Sequence, residues 1–168
     1  LAVGRKPYFV KEVPVFTKIL YPTDFSDTAG KSLQYIKALR KAGAQKIVLL
    51  NVINQRILDS LETIHKVAYF QDGRYEEDRE ATLQNLEAER RKKMVPLVTE
   101  LEAAGFEVIT RIEKGHPVTE ILKVEKDEAV SAIVMGSHGR NDIVEALIGT
   151  VSEKVVRRSK TPVLLVKR

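Results

Sequence analysis

Apolar residues recur along this chain with two alternating periods, and the switches between them mark out its elements. Val15 to Pro22 (VFTKILYP) reads as a first strand. From Asp27 onward Ala29, Leu33, Ile36 and Leu39 stand at helical spacing, and Gly43 is placed to stop that helix. Lys46 to Ile53 (KIVLLNVI) is a short apolar run rich in Val, Ile and Leu, as a parallel strand buried on both faces should be. Asn54 to about Glu80 is a polar insertion with little pattern beyond LDSLETI. Glu76 to Ala104 is strongly helical, with Pro96 a point where the helix is expected to kink. Phe106 to Ile112 (FEVITRI) alternates apolar and polar positions and predicts a less buried edge strand. Pro117 is a good first residue for a further helix. AVSAIVM gives a fourth strand, Thr150 to Ser159 a last helix, and TPVLLVKR a fifth strand.

Strand–helix alternation of this kind predicts an α/β fold: a single domain with an open parallel sheet of five strands and helices on both faces. Residues 1–14 fit no unit, so the expected organisation is an N-terminal extension followed by one domain over 15–168. No internal repeat or low-complexity linker is present.

Composition narrows the function classes. A chain of 168 residues, 43% hydrophobic and 30% charged, suits one such domain with a sizeable core. It contains no Cys, which removes disulfide frameworks, thiolate metal sites and Cys nucleophiles. It shows no signal-peptide core, and no apolar run reaches the roughly 20 residues that span a membrane, so a cytoplasmic protein with no membrane association is expected. The net charge of +5 is spread among mixed signs. The densest cluster, ERRKK at Glu89 to Lys93, follows acidic residues and reads as a solvated helix face, not a nucleic-acid surface.

The candidate chemistry lies in IVMGSHGRNDIVEALIGTVSEKVV, Ile133 to Val156. In a sheet of this class ligands bind beyond the carboxyl ends of the strands, where strand order reverses. Gly136 directly follows strand four, and Gly139 keeps the loop beyond it free of side chains. Gly149 and Thr150 stand where the last helix begins, and amides at a helix N-terminus attract anions. Thr150 and Ser152 add hydroxyls that can bond phosphate oxygens. An ordinary strand-to-helix connection, with Gly136 as turn residue and Thr150 as cap, is the competing reading. A second candidate, FSDTAGKS, has Gly-Lys-Ser between a strand and a helix, but a P-loop needs glycine where Phe25 stands, and the periodicity puts Gly30 and Lys31 inside the helix. No G-x-G-x-x-G dinucleotide motif is found.

The spacing Gly136-Ser137-His138-Gly139, nine residues, Gly149-Thr150 resembles the G-x2-G-x9-G-[ST] signature of the universal stress protein family, in its ATP-binding branch. KILYPTDFSDTA is similar to that family's first strand and Asp-bearing turn, IVLLNVI to its second strand and TPVLLVK to its closing strand. The resemblance covers about Phe16 to Arg168, and Asn51 departs from it where many members carry His. It implies strand order 3-2-1-4-5 in a Rossmann-like fold and a role in the stress response. It also implies that Pro22, Thr23 and Asp24 line the adenosine wall, with Asp24 on a ribose hydroxyl or the base edge. Val52 would offer backbone groups to adenine. Met135 and Gly136 would lie against sugar and base, and His138, Gly139, Gly149, Thr150, Val151 and Ser152 would surround the phosphates. The implied cofactor is ATP, with Mg2+ or Mn2+ held through its phosphates because no carboxylate cage is visible. His65 and His116 have no ligand pattern around them.

The expected function is therefore an ATP-binding regulatory module, read by a protein partner and at most a slow ATPase. An ATP-hydrolysing or adenylate-transferring enzyme is the alternative, for which Arg140 and Lys154 are the available cations; a structural oligomer with incidental nucleotide is a third class. The fifth strand would lie at a sheet edge, and its apolar PVLLV predicts homodimerisation by pairing across a two-fold axis.

Overall fold

The computed structural model describes residues 15–68, 75–137 and 148–167. Five parallel strands, β1 (Lys18–Pro22), β2 (Lys46–Asn54), β3 (Glu107–Gly115), β4 (Ala132–Gly136) and β5 (Val163–Val166), form one sheet in the order β3-β2-β1-β4-β5. The helices are α1 (Asp27–Leu39), α2 (Gln55–Ala68), α3 (Tyr75–Ala103), α4 (Pro117–Asp127) and α5 (Thr150–Arg158). The chain winds towards β3 with α1 and α3 on one face, then crosses to β4 and β5 with α4 and α5 on the other. Strand order therefore reverses between β1 and β4.

The two-residue period of the strands divides the core. Ile19, Tyr21, Ile47 and Leu49 pack with Ile36 of α1 and Met94 and Leu101 of α3. Leu20, Val48, Leu50, Ile133 and Met135 pack with Ile121 and Val124 of α4 and Val155 of α5. Each fully buried Leu or Ile contributes about 1.5–3 kcal/mol of transfer free energy, so this double layer dominates the stability. β1 and β4 are buried along nearly their whole length, whereas β3 is half-exposed as an edge strand must be.

Local signals set the helix ends. Ser26 caps α1, its Oγ accepting from the Ala29 amide at 3.3 Å. A short 3-10 turn and Gly43, at φ 97°, end that segment, and the positive φ favours glycine there. Gly30 lies inside α1, which removes the P-loop geometry.

Two elements, α2 and β3, differ from the sequence reading. The supposed patternless insertion contains α2, on which Ile57, Leu61 and Ile64 recur at helical spacing, the stripe of which LDSLETI is part. α3 is a single 29-residue helix, as expected, with the exposed Pro96 inside it and Met94 and Leu101 buried on its other side. β3 runs to Gly115, three residues beyond the alternating segment, because β2 offers partners up to Asn54.

One buried acid anchors the far end of α5. Glu125, 7% exposed, accepts at Oε1 from Ser159 Oγ (2.9 Å), Lys160 N (2.9 Å), Thr161 N (3.0 Å) and Thr161 Oγ1 (2.8 Å). Burial pushes its pKa up, but the hydroxyls of Thr161 and Ser159 and the two amides together hold it below the ordinary carboxyl value. Glu128 is also held low, first by Lys18 Nζ at 2.6 Å and further by Arg111 at 2.8 Å, against a smaller opposing effect of burial.

Candidate functional site

A crevice opens where the strand order reverses. β1 and β2 stay in register up to Pro22 and Leu50, and β4 and β5 up to Gly136 and Val166. The pairing of β1 with β4 stops earlier, at Leu20 and Ile133, two residues short of Pro22 and three short of Gly136. The carboxyl ends of the two central strands thus part, and the N-termini of α1 and α5 stand on either side of the gap.

The turn after β1 carries Asp24. Thr23 N continues the ladder by donating to Leu50 O at 2.8 Å. Thr23 Oγ1 then accepts from Phe25 N at 3.0 Å, and Asp24 Oδ1 from Ser26 N at 3.0 Å. Phe25 sits at φ 63°, a left-handed conformation that costs a side-chain-bearing residue about 1–2 kcal/mol. The two side-chain acceptors hold it there. Asp24 is half-buried and helix α1 is capped by Ser26, so Asp24 is not needed as the cap. Pro22 and Thr23 are buried beside it.

Gly136 has a packing reason for being glycine. A Cβ there would lie 3.1 Å from Thr28 Cγ2 and 3.2 Å from Ala29 N, so its absence lets the start of α1 approach the end of β4. Met135 is 5% exposed, with its side chain among the α4 and α5 residues.

The start of α5 is open. Gly149 is its N-cap at φ −59° and ψ 149°, values any residue can adopt, and among the described residues no side chain caps the first-turn amides. Gly149 N donates to Ser137 O at 2.7 Å, which fastens this end to the loop leaving β4. Thr150 is exposed and Val151 half-buried. Ser152 is buried, and its Oγ donates to Gly136 O at 2.9 Å, so the hydroxyl proton is committed within the protein. Its backbone amide, like those of Thr150 and Val151, belongs to the uncapped first turn. His138, Gly139 and Arg140 lie outside the described residues.

β2 overhangs β1 by four residues. Leu50 O faces β1, and a strand turns its N–H and C=O groups the same way at every second residue. Val52 therefore points its N–H and C=O into the space that β1 vacates at Pro22.

Asn51, between them, was noted in sequence only as a departure from the family resemblance, where many members carry His. It is 3% exposed, and its Nδ2 donates to Thr23 O at 2.7 Å. Its Oδ1 is buried with no partner among the described residues, at a cost of about 1–3 kcal/mol.

A separate groove of about 860 Å³ runs between α1 and α3, lined by Thr23, Phe25, Asp27, Glu89, Lys93 and Leu97 among others. It backs onto the same turn from the opposite sheet face, and its charged lining is solvent-exposed, so it is not the crevice described above. His116 caps α4 without a side-chain bond. Among the described residues no three His, Asp or Glu side chains are grouped to hold a metal, and no helix is long and apolar enough to cross a membrane.

The model of the "Universal stress protein family" matches residues 16–167. Universal stress protein MJ0577 of Methanocaldococcus jannaschii is 41% identical over 158 residues, covering 92% of this chain and 96% of the relative. The solved structure of MJ0577 superposes with a TM-score of 0.78 at 40% identity, over 92% of this chain and 97% of that one. Universal stress protein YxiE of Bacillus subtilis is 29% identical, covering 91% of this chain and all 100% of the relative. A universal stress protein from Archaeoglobus fulgidus, solved in complex with dAMP, shares the fold with a TM-score of 0.58 at 16% identity, over 91% of this chain and 99% of that one.

Proposed function

The chain belongs to the universal stress protein family, and we propose that it is an ATP-binding regulatory module of that family, with the nucleotide in the crevice between β1 and β4. The observation that carries this reading is the uncapped start of α5 at the point where the two central strands part. Among the described residues the amides of Thr150, Val151 and Ser152 have no acceptor, the helix dipole stands behind them, and they suit phosphate oxygens. Gly149 leaves the approach clear. His138 and Gly139 belong to the same loop by the signature spacing.

The adenosine end is read from the other side of the gap. Val52 offers one donor and one acceptor on a single strand edge, the complement of the adjacent ring nitrogen and amino group of adenine. Asp24 accepts from a ribose hydroxyl, with Pro22, Thr23, Met135 and Gly136 closing the wall. Mg2+ or Mn2+ would be held through the phosphates and water, supplying charge neutralisation there.

The groups available hold the ground state and do little for a transition state. Backbone amides bond phosphate before any reaction, and the proton of the buried Ser152 hydroxyl already goes to Gly136 O. Hydrolysis should be far slower than the roughly 10 s⁻¹ typical of enzymes. Output then comes from a protein partner that distinguishes loaded from empty forms. Leu164 on edge strand β5 and Val156 on α5 are 40% and 44% exposed, and pairing of two β5 edges in a homodimer would cover them. Leu164→Lys should yield monomers by sedimentation, whereas Val166 is buried in the core and is the wrong place for the same test.

Titration calorimetry with ATP, run beside mass spectrometry of gently purified protein for carried-over nucleotide, tests the main reading. No heat and no carried nucleotide would refute it.

A further inference from the structure

Asn51 holds a position in the β1–β2 ladder that a backbone group would otherwise occupy. In a parallel ladder with Pro22 opposite Leu50, Thr23 N donates to Leu50 O, and the next rung would run from Val52 N to Thr23 O. The first of these bonds is present at 2.8 Å. The second is replaced: Thr23 O accepts instead from Asn51 Nδ2 at 2.7 Å. Among the described residues no bond joins Val52 N to the Thr23 turn. The orientation of the amide is fixed by chemistry, since a carbonyl can only accept. Asn51 Oδ1 is then left buried without a partner among the described residues. An apolar residue on this core-facing side would avoid that cost, so packing does not account for an asparagine here.

We infer that Asn51 is a positioning residue that ends the β1–β2 ladder one rung early. By taking the Thr23 carbonyl it keeps the Val52 N–H open for the base of a bound nucleotide, and it pins the strained turn that carries Asp24. The inference rests on the nucleotide reading for its consequence, but its structural half stands alone. Thr23 O is held from the side-chain layer of the α1–α3 face, whereas Val52 points along the sheet into the crevice. The two roles of one rung, satisfying the carbonyl and donating from β2, are thus divided between neighbouring residues. Asn51→Leu removes the donor. The carbonyl is then free to draw Val52 N–H into the missing rung and close β2 onto the turn.

Amide hydrogen exchange by NMR on the nucleotide-free protein, with calorimetry on variants, tests this. In the wild type the Val52 amide should exchange at least tenfold faster than those of Asn51 and Ile53, which face β3. In Asn51→Leu it should slow to their level. ATP should then bind at least tenfold more weakly, while tripolyphosphate, which needs only the α5 end, changes less than twofold. Asn51→His, whose ring N–H can reach the same carbonyl, should keep both the fast exchange and the affinity. A wild-type Val52 amide as slow as its neighbours would overturn the inference, even if Asn51→Leu did not fold. So would an Asn51→Leu protein that binds ATP within twofold of wild type. A wild type that binds no ATP would instead sink the nucleotide reading, and the exchange contrast would still decide whether Asn51 ends the ladder.

Discussion

Helices α1 and α5 start on opposite sides of the same crevice, and they start differently. α1 is filled from within: Ser26 Oγ takes the Ala29 amide, Asp27 adds a negative charge to the first turn, and Gly136 lets Thr28 and Ala29 press against β4. α5 begins at Gly149 with no side-chain cap among the described residues, although the backbone there would accept any residue. A side-chain cap takes one of the first-turn donors and contributes stability. An uncapped terminus leaves stability unrealised and keeps donors for something outside the chain. In the proposed reading this contrast assigns the anion side of the crevice to α5 and leaves the α1 side, through Asp24, to the uncharged part of a ligand.

The contrast is most severely tested by filling the open end. Gly149→Val should weaken ATP more than about 100-fold, roughly 2.7 kcal/mol, because its side chain stands where phosphate would lie. The melting temperature should barely move, since φ −59° suits Val. Unchanged calorimetric affinity would show that α5 is not the anion end. Loosening the other end of α5 should act on stability instead. Glu125→Ala removes the acceptor shared by four donors, of which Ser159 Oγ and Thr161 N keep a second acceptor within the turn, and should cost about 1–3 kcal/mol in chemical denaturation. Because the folded pKa values of Glu125 and Glu128 lie below their ordinary value, their contribution is complete above about pH 4.5 and is lost as pH falls through the folded values. Thermal melts between neutral and acid pH should therefore show a steep loss below that point, shallower in Glu125→Gln.

On the α1 side, Asp24→Ala should weaken ATP by about 1–3 kcal/mol through loss of one charged hydrogen bond. Measured against inorganic tripolyphosphate, the variant should be indistinguishable from wild type. An equal loss for both ligands would mean that Asp24 only shapes the turn. The smallest effect is expected from Ser26→Ala. It should cost about 1 kcal/mol of stability as a lost cap and leave ATP affinity within twofold. A large loss of affinity would erase the distinction between the two helix starts.

The sequence by itself determined most of the architecture and named the candidate site. Switches between apolar periods located all five strands, and helical spacing in α1 already excluded a P-loop at Gly30. The pattern Gly136, Gly139, Gly149, Thr150 pointed to the same loop whether read by chemistry or by resemblance. These are properties of consecutive residues, and local periodicity and glycine spacing record them directly. α2 was underread because its apolar stripe is exposed, Ile57 at 38% and Ile64 at 61%, so it lacks the strong contrast of a packed helix. What only the tertiary structure decided depends on residues far apart in the chain. Gly136 proved to be shaped by Thr28 and Ala29, the Ser152 proton goes to Gly136 O, and Glu125 gathers residues 159–161. Asn51 stands out in sequence only as a departure from the family resemblance; its meaning requires knowing that Thr23 O lies 2.7 Å away and that β1 ends there. Periodicity reports which side a residue faces, and only the fold reports which group it meets.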